Sequence, residues 1–319
     1  MKKIISMLLA IVMVALMAMS MTACGDDGKY TIGICQLVPH EALDAATQGF
    51  IDRVKAELGE ENVEILVEVA GGDTASCSPI ISDFVSKKVD LIVANATPAL
   101  QAAQAATSEI PILGTSVTEY GVALELKNFS GVVGSNISGT SDLAPLDQQA
   151  AMVKEWFPDA KNVGLLYCSA EANSKYQVDT VKAELEKLGY TCELFAFADT
   201  NDLQAVTQKA VDKSDVIYIP TDNAVASATG TVDAICRQAK KPVIAGEEGI
   251  CKGCGVATLS ISYYDLGAAT ADMAVKILRD GADISTMEIA YAKATKKYNA
   301  EICAELGLTA PEGYVAIGG

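Results

Sequence analysis

Residues Asp215–Ala228, DVIYIPTDNAVASA, share their pattern with an earlier stretch of the chain, Asp90–Ala103, DLIVANATPALQAA. Each stretch begins with Asp and an apolar run, meets a polar cluster, and continues as an Ala-rich helical pattern. Such an apolar run is typical of a buried parallel strand. Both stretches therefore predict a strand–loop–helix unit with polar groups at the strand's carboxyl end, where open α/β sheets bind ligands.

The similarity between the two halves of the chain extends beyond these stretches. Val54–Leu58, VKAEL, recurs letter for letter as Val181–Leu185, and the matched segments keep their order at a nearly constant interval. Strands alternate with helices in both halves, which predicts parallel sheets covered on both faces. The fold class expected is α/β, with two doubly wound parallel-sheet lobes that face each other across a cleft.

Crossing segments between the lobes are expected after each lobe's fourth strand and again near the end of the chain. About three such strands would form a hinge that lets the lobes close around a ligand. The expected division of the chain is residues 30–140 plus 257–283 for lobe one, and residues 141–256 plus 284–319 for lobe two.

Composition excludes several classes of protein. The 319 residues are 50% hydrophobic and 20% charged, enough apolar residues for two cores. The formal net charge of −17 argues against a nucleic-acid or anionic-membrane surface, because both need clustered Lys and Arg. The single His and the absence of GxSxG or P-loop lysine motifs give no support to a catalytic triad, a His-rich metal site or a cofactor.

The beginning of the chain has the pattern of an export signal. Lys2-Lys3 precede an apolar run, and Met21-Thr22-Ala23 precede Cys24. This junction resembles a bacterial lipobox, which implies removal of residues 1–23 and lipidation of Cys24, with residues 24–29 as a tether. The alternative is an uncleaved membrane anchor. Either way, the rest of the chain is expected outside the cytoplasm, in a periplasm or on the outer face of a single membrane.

Six loops at carboxyl ends of predicted strands are rich in Ser, Thr, Asn, Gln, Asp and Glu and contain no Arg. Such loops suit a zwitterion. Hydroxyls and N–H groups at helix starts can hold a carboxylate, and acidic side chains can hold an ammonium. The carboxylate candidates are Thr97, Ser116, Ser174 and Asn223, and the ammonium candidates are Glu171, Asp222 and Glu247.

Several stretches resemble one known family: GICQLVPHEALDAATQGF, DLIVANATPALQAA, LYCSAEANS, YIPTDNAVAS and AGEEGICKGCGVATLSISYYDLG. They are similar, in order and over nearly the whole mature chain, to ABC-transporter substrate-binding lipoproteins of the tryptophan/tyrosine-binding type. The resemblance implies a type I periplasmic-binding-protein fold, a monomer, and delivery of a small zwitterionic ligand, an amino acid with aromatic ones favoured, to an ABC permease. At the family's Asp-Pro after Val117-Thr118, this chain has Glu119-Tyr120 instead.

The resemblance also implies which residues lie at the cleft. They are Gln36, His40, Glu41, Asn95, Ala96, Thr97, Ser169, Glu171, Asn173, Ser174, Thr221, Asp222, Asn223 and Glu247. The end of the fourth strand adds Thr115 and Ser116. An aromatic ligand would need ring-stacking partners, for which Tyr120, Tyr263 and Tyr264 are candidates.

Two other functions stay open at this point. A sensory receptor would present the same ligand-bound shape to a membrane kinase or chemoreceptor. A thiol oxidoreductase would use the CxxC pair Cys251 and Cys254, which the glycines around it place before a crossing strand rather than at a helix start. A structural disulfide or two free thiols is the simpler interpretation of that pair.

Overall fold

The computed structural model describes residues 28–318, so the expected signal 1–23 and Cys24 lie outside the described residues. The strands in this part of the chain are β1 (Tyr30–Gln36), β2 (Val63–Val69), β3 (Leu91–Asn95), β4 (Ile112–Val117), β5 (Ile137–Ser141), β6 (Asn162–Cys168), β7 (Thr191–Phe197), β8 (Val216–Ile219), β9 (Val243–Ala245), β10 (Ala257–Ser260), β11 (Ala290–Tyr291), β12 (Thr295–Tyr298) and β13 (Val315–Ala316).

The α-helices between residues 28 and 318 are α1 (Glu41–Leu58), α2 (Cys77–Lys87), α3 (Thr97–Ala106), α4 (Tyr120–Ala123), α5 (Leu146–Trp156), α6 (Ala172–Lys187), α7 (Thr200–Lys213), α8 (Asn223–Ala226), α9 (Thr229–Gln238), α10 (Glu248–Cys254), α11 (Tyr263–Leu278) and α12 (Ala300–Leu306). Short 3-10 turns occupy Glu60–Asn62, Thr74–Ser76 and Ile284–Thr286.

The strands form two sheets with the same internal order. The first runs β11-β5-β4-β3-β1-β2 and is parallel throughout, and the second runs β13-β12-β10-β9-β8-β6-β7. Counted within each lobe, five strands follow the order 2-1-3-4-5 in both sheets, so the predicted duplication and the two-lobed α/β fold are confirmed. Only β12 pairs antiparallel to its neighbour β10 among the described strands. This order places a topological switch point beside β1 and β3 in one lobe and beside β6 and β8 in the other.

Each sheet is covered by helices on both faces. In lobe one, Phe50 and Val54 of α1 pack with Ala271 and Ala274 of α11 on one face. On the other face, helices α2 and α3 contribute a second apolar layer that includes Phe84. In lobe two, α5, α6 and α12 cover one face, and α7, α9 and α10 cover the other. Every residue of β3 and β8 is buried, as their apolar runs predict.

The Asp that opens both matching stretches has the same structural role in each lobe. Asp90 Oδ2 accepts a hydrogen bond of 2.7 Å from the backbone N–H of Thr31 at the start of β1. Asp215 Oδ2 accepts bonds of 2.9 and 2.8 Å from the N–H groups of Lys161 and Asn162 at the start of β6. These carboxylates fix the amino ends of the strands, at the edge opposite the one where α/β sheets of this order bind ligands.

The chain crosses between the lobes three times, but two expected boundaries differ from those of the sheets. Residues 257–260, expected in lobe one, form β10, which continues sheet two because Ala257 and Thr258 pair with Ile244 and Ala245 of β9. Residues 284–291, expected in lobe two, reach back to sheet one, where Ala290 pairs with Thr140 of β5. The crossings are therefore 142–145, 261–262 and 292–294, and the first follows β5 rather than coming directly after the fourth strand, where it was expected.

Candidate functional site

The carboxyl ends of the two sheets face each other, and loops of the two lobes are in contact. His40 Nε2 of lobe one lies 3.2 Å from Asn223 Oδ1 of lobe two. Lys252 Nζ on α10 lies 2.9 Å from both carboxylate oxygens of Glu41 at the start of α1. These two contacts join the lobes across the cleft, so this is a closed arrangement.

In lobe one, buried polar residues lie where β3 and β4 end. The Asn95 amide nitrogen donates to Leu43 O and Thr47 Oγ1, both at 2.9 Å, and these bonds leave Asn95 Oδ1 without a partner. Ser116 Oγ also has no partner although it is buried. Thr97 and Thr115 are buried beside them. A buried polar atom without a hydrogen bond lowers the free energy of unfolding. Each of these atoms is therefore a candidate for a hydrogen bond to a bound ligand.

The backbone at this edge is strained at two residues that are not glycine. Ala96 has φ 99° and Ser116 has φ 53°. Ala96 holds the N-cap position of α3 and makes no side-chain cap bond, so the first N–H groups of α3 are uncapped. Ser116 lies in a register shift between Gly114 and Val117 of β4. Such conformations often occur at ligand sites.

Gln36 and the first loop organise lobe one itself. Gln36 Nε2 donates to Asp44 Oδ1 at 2.6 Å and to Val38 O at 3.0 Å, and its amide oxygen accepts from Thr47 Oγ1 at 2.6 Å. The amide is thus fully used in holding the loop after β1 against α1. His40 is half-buried, and burial lowers the pKa of its imidazole, which keeps the ring neutral near pH 7.

In lobe two, Asn173 and Ser174 lie buried in the first turn of α6. Asn173 Nδ2 donates to Thr221 O and to Glu171 Oε2, both at 3.1 Å, and Asn173 Oδ1 is left without a partner. Helix α6 has no side-chain cap, so its first N–H groups are also uncapped. Uncapped helix starts from both lobes therefore face the cleft next to unpaired buried polar atoms.

Three predicted acidic residues of lobe two are buried and bonded to helix starts. Glu171 accepts from Asn223 N at 3.1 Å and from Ala224 N at 2.9 Å. Asp222 accepts from Cys168 N at 2.6 Å and from Val225 N at 2.9 Å. Glu247 accepts from the N–H groups of Gly249 and Ile250 at the start of α10.

Burial dominates the acid–base behaviour of these carboxyls. It raises the pKa of Glu247 to about 7, although the two backbone N–H bonds act in the opposite direction. The pKa of Asp222 is also raised, first by burial and then by the nearby negative charge of Glu171. Two acids of lobe two therefore bind protons more tightly than they would in water.

A cavity of about 370 Å³ opens between the lobes at the ends of β1, β2, β6 and β7. Its apolar wall includes Leu37 and Val38 of lobe one and Ala170, Ala198 and Ala224 of lobe two. Glu171 and Asn223 provide polar groups. The volume lies within the range of small-molecule sites, and the mixed lining suits a ligand with both an apolar body and polar groups.

The remaining predicted residues fall into different surroundings. Ser169 is exposed and donates to Phe197 O at 3.0 Å, and Thr221 Oγ1 lies 3.4 Å from Gly246 O. Tyr120 is buried in the core of lobe one, with its hydroxyl on Thr140 O, and Tyr264 is exposed, with its hydroxyl on Asp52. Tyr263 is the one of the three stacking candidates that lies at the interlobe hinge.

Sequence reasoning missed Asp142, a buried carboxylate in the first crossing between the lobes. The hydroxyl of Tyr263, the residue directly after the second crossing, donates to Asp142 Oδ2 at 3.0 Å. An acid directly after the alternating small and hydroxyl residues of β5, SGTS, is a weak sequence signal. The sequence also predicts the crossing earlier in the chain, so nothing in the pattern places this acid at the hinge.

The CxxC pair lies on a helix rather than in the glycine-rich loop expected. Cys251 and Cys254 belong to α10, are both buried, and are free thiols. Burial raises the pKa of both thiols well above its ordinary value, which disfavours the thiolate needed for disulfide exchange. Among residues 28–318 there is no group of acidic, His and Cys side chains with the arrangement of a metal site. Nor does that range contain a helix with the length and apolar character that spanning a membrane requires.

Two similar α/β lobes that close on a polar cleft define a solute-binding protein of the type I periplasmic class. A family model described as ABC transporter substrate binding protein matches residues 31–317. The chain belongs to this family of ABC transporter substrate-binding proteins, whose members work outside the cytoplasm.

The chain is also similar to individual proteins. It is 37% identical over 249 residues to a tyrosine-binding protein of Clostridioides difficile (strain R20291), covering 77% of this chain and 72% of that one. A crystal structure from Streptococcus pneumonia in complex with L-Trp is 33% identical, with a TM-score of 0.86 over 91% of this chain and 100% of that chain. A ligand-free, open substrate-binding protein with adhesive properties from Clostridium difficile is 38% identical, with a TM-score of 0.68 over 90% of this chain and 99% of that chain.

These two structures differ in how well they superpose on this chain. The L-Trp complex superposes better than the open, ligand-free structure, although the open structure has the higher sequence identity. The lobes of this chain are thus arranged more like those of the ligand-bound relative, in agreement with the contacts across the cleft.

Proposed function

We propose that this protein captures an L-amino acid with an aromatic side chain between its lobes and delivers it to an ABC permease. The observation that carries the proposal is the closed cleft, in which Asn95 Oδ1, Ser116 Oγ and Asn173 Oδ1 are buried without protein partners. The names of two relatives, one a tyrosine-binding protein and one in complex with L-Trp, support the choice of amino acid.

The polar part of the ligand would be held by groups from both lobes. The uncapped starts of α3 and α6 supply N–H groups and positive helix ends for a carboxylate, and Thr97 and Ser174 add hydroxyls. The Ser116 hydroxyl can donate to the same carboxylate, whereas Asn95 Oδ1 and Asn173 Oδ1 are acceptors and would take N–H donors from the ligand. A ligand bound by both lobes stabilises the closed form over the open form.

The aromatic ring would be buried in the closed cleft beside this polar set, where its burial is favourable by the hydrophobic effect. A small side chain such as that of alanine gains much less from that burial. We therefore expect tryptophan, tyrosine or phenylalanine to bind more tightly than alanine or serine.

A thermal-shift screen of the twenty amino acids, followed by calorimetry, tests this function. Because a ligand that binds only the native state raises the melting temperature, aromatic L-amino acids should give the largest increases. Asn173→Ala should weaken their binding by about 5- to 100-fold, through loss of a hydrogen bond to a charged group. No response to any amino acid would refute the proposal, and product formation from a bound amino acid would contradict a purely binding role.

The sequence before residue 28 supports a lipid anchor at Cys24. Removal of residues 1–23 and lipidation of Cys24 would hold the binding protein, as a monomer, on the outer face of a membrane near its permease. Cys24→Ala should release the protein into the soluble fraction. If the variant stays in the membrane pellet, an uncleaved anchor is the better explanation.

A further inference from the structure

Buried charge in the described part of this chain is confined to four carboxylates. They are Asp142, Glu171, Asp222 and Glu247, and no Lys or Arg between residues 28 and 318 is buried with them. A buried charge is costly unless it is paired or fully hydrogen-bonded. The hydrogen-bond donors around each carboxylate therefore indicate which of the four lacks a partner within the protein. That carboxylate is the one expected to bind a positively charged group of a ligand.

Three of the four carboxylates are compensated within lobe two. Glu171, Asp222 and Glu247 each accept at least two backbone N–H bonds, mostly at the starts of α8 and α10. Donors of this kind stabilise a carboxylate without a cation. These acids can therefore keep their place in the fold whether or not a ligand is bound.

Asp142 is compensated much less completely. The hydroxyl of Tyr263 donates to its Oδ2 at 3.0 Å, and the Thr118 side chain also forms a hydrogen bond with this carboxyl group. Its other oxygen, Oδ1, is fully buried and has no hydrogen-bond partner. The nearby ionisable groups, Tyr120, Tyr263 and Glu247, are all acids, so nothing in its surroundings supplies positive charge.

The position of Asp142 places it at the ligand-binding edge of lobe one. The backbone N–H of Asp142 donates to Val117 O at 3.2 Å, so Asp142 lies beside the end of β4. Val117 directly follows Ser116, which has a strained backbone and a hydroxyl without a partner. It is also the first residue of the first crossing, and Tyr263 follows the second crossing. A ligand bound here would contact two strands of the hinge.

We propose that Asp142 is the residue that binds the ammonium group of the ligand, with Tyr263 as the positioning residue that orients its carboxylate. This inference rests on the proposed function. It differs from the sequence-based expectation, which gave the ammonium to Glu171, Asp222 or Glu247. A primary ammonium fits Oδ1 because it brings both the missing hydrogen-bond donor and the missing positive charge.

The test compares three probes on the folded protein by calorimetry at pH 7.5. L-Tryptophan carries the ring, carboxylate and ammonium, indole-3-propionate lacks the ammonium, and tryptamine lacks the carboxylate. Asp142→Asn should weaken L-tryptophan and tryptamine by about 10- to 100-fold and leave indole-3-propionate within about threefold. The amide should do this because it presents an N–H₂ donor where the ammonium needs an acceptor.

Asp215→Asn is the matched control, since Asp215 also accepts two bonds from N–H groups but lies at the opposite edge of its sheet. It should lower stability without changing the preference for L-tryptophan over indole-3-propionate. Should Asp142→Asn not fold, Tyr263→Phe provides the second test, and it should reduce the same preference by about 3- to 10-fold.

Two results would overturn the assignment, and they can be told apart. If the wild-type protein binds L-tryptophan and L-tyrosine but the variants at 142 and 263 keep the wild-type preference for the ammonium-bearing probes, Asp142 does not bind the ammonium and the proposed function stands. If the wild-type protein binds no amino acid, both proposals fail.

Discussion

At the scale of single residues, the cleft contains strained backbone conformations as well as buried polar atoms without hydrogen-bond partners. Ala96 has φ 99° with ψ 157°, a region that is almost restricted to glycine, and Ser116 has φ 53°. Both residues are buried where strands of lobe one end. A protein retains such costs, about 1–3 kcal/mol each, only where the surroundings enforce them, as at a ligand site.

The buried acids predict how the stability of the ligand-free protein depends on pH. Burial raises the pKa of Asp142 to about 6 and that of Glu247 to about 7, from ordinary values of 3.8 and 4.5. The folded state therefore holds these protons more tightly than the unfolded state does. Their contribution to stability is complete below about pH 4 and is lost as the pH rises to about 7.

Urea denaturation at pH 5.0 and pH 7.5 measures this effect. Glu247→Gln should reduce the loss of unfolding free energy between the two pH values, because the amide cannot titrate. Asp215→Asn is the control, because backbone N–H bonds lower the pKa of Asp215 from its ordinary 3.8, so its stabilisation is lost only at more acidic pH and the variant should keep the wild-type slope between pH 5.0 and 7.5. An unchanged pH slope in Glu247→Gln would show that this carboxyl keeps its ordinary pKa.

At the scale of elements, the contact between α1 and α11 holds the second crossing against lobe one. A Cβ atom on Gly49 would collide with the Tyr264 carbonyl oxygen, and one on Gly267 would collide with the Ala46 carbonyl oxygen. The two helices therefore approach each other through their backbones at two glycines. Because α11 begins directly after the second crossing, this contact fixes the position at which that crossing enters lobe one.

Gly267→Ala should destabilise the protein by about 1–3 kcal/mol, because the added methyl group meets backbone atoms that cannot move aside as a side chain could. Chemical denaturation measures the change. The control is Gly230→Ala in α9, where nothing lies within 4 Å of the new Cβ. That substitution should stabilise the helix by up to about 1 kcal/mol, so equal effects of the two changes would contradict this account of the contact.

The sequence predicted the long elements well because their periodicity reflects burial on a sheet. The apolar runs of β3 and β8 and the stripe of Phe50 and Val54 in α1 are examples. The short helices α4 and α10 were missed, since four or seven residues carry too little periodicity. The strain at Ala96 was also invisible, because long-range packing rather than local preference imposes its backbone conformation.

At the scale of the whole molecule, the duplication made the two lobes predictable, but it could not give their hinge. The expected boundaries missed β10 and β11, because short strands at a crossing pair with whichever sheet edge is near. For the same reason, Asp142 was not among the expected ligand-binding residues. Its surroundings arise only when two distant crossings, at residues 142–145 and 261–262, come together.

Closure of the whole molecule gives the last prediction, which concerns the ion pair between Lys252 and Glu41. Both side chains are more than half exposed, at 56% and 55%, so the pair is worth at most about 1 kcal/mol to the closed form. Lys252→Gln should therefore raise the open fraction of the ligand-free protein by up to about fivefold. Distances between fluorophores on the two lobes measure that fraction. Added salt should open the wild type and have less effect on the variant.

Lys213→Gln is the control, since Lys213 pairs with Glu193 within lobe two at similar exposure, 58% and 52%, and its loss should leave closure unchanged. If Lys252→Gln and Lys213→Gln give the same distribution of interlobe distances, the ion pair does not help hold the cleft closed.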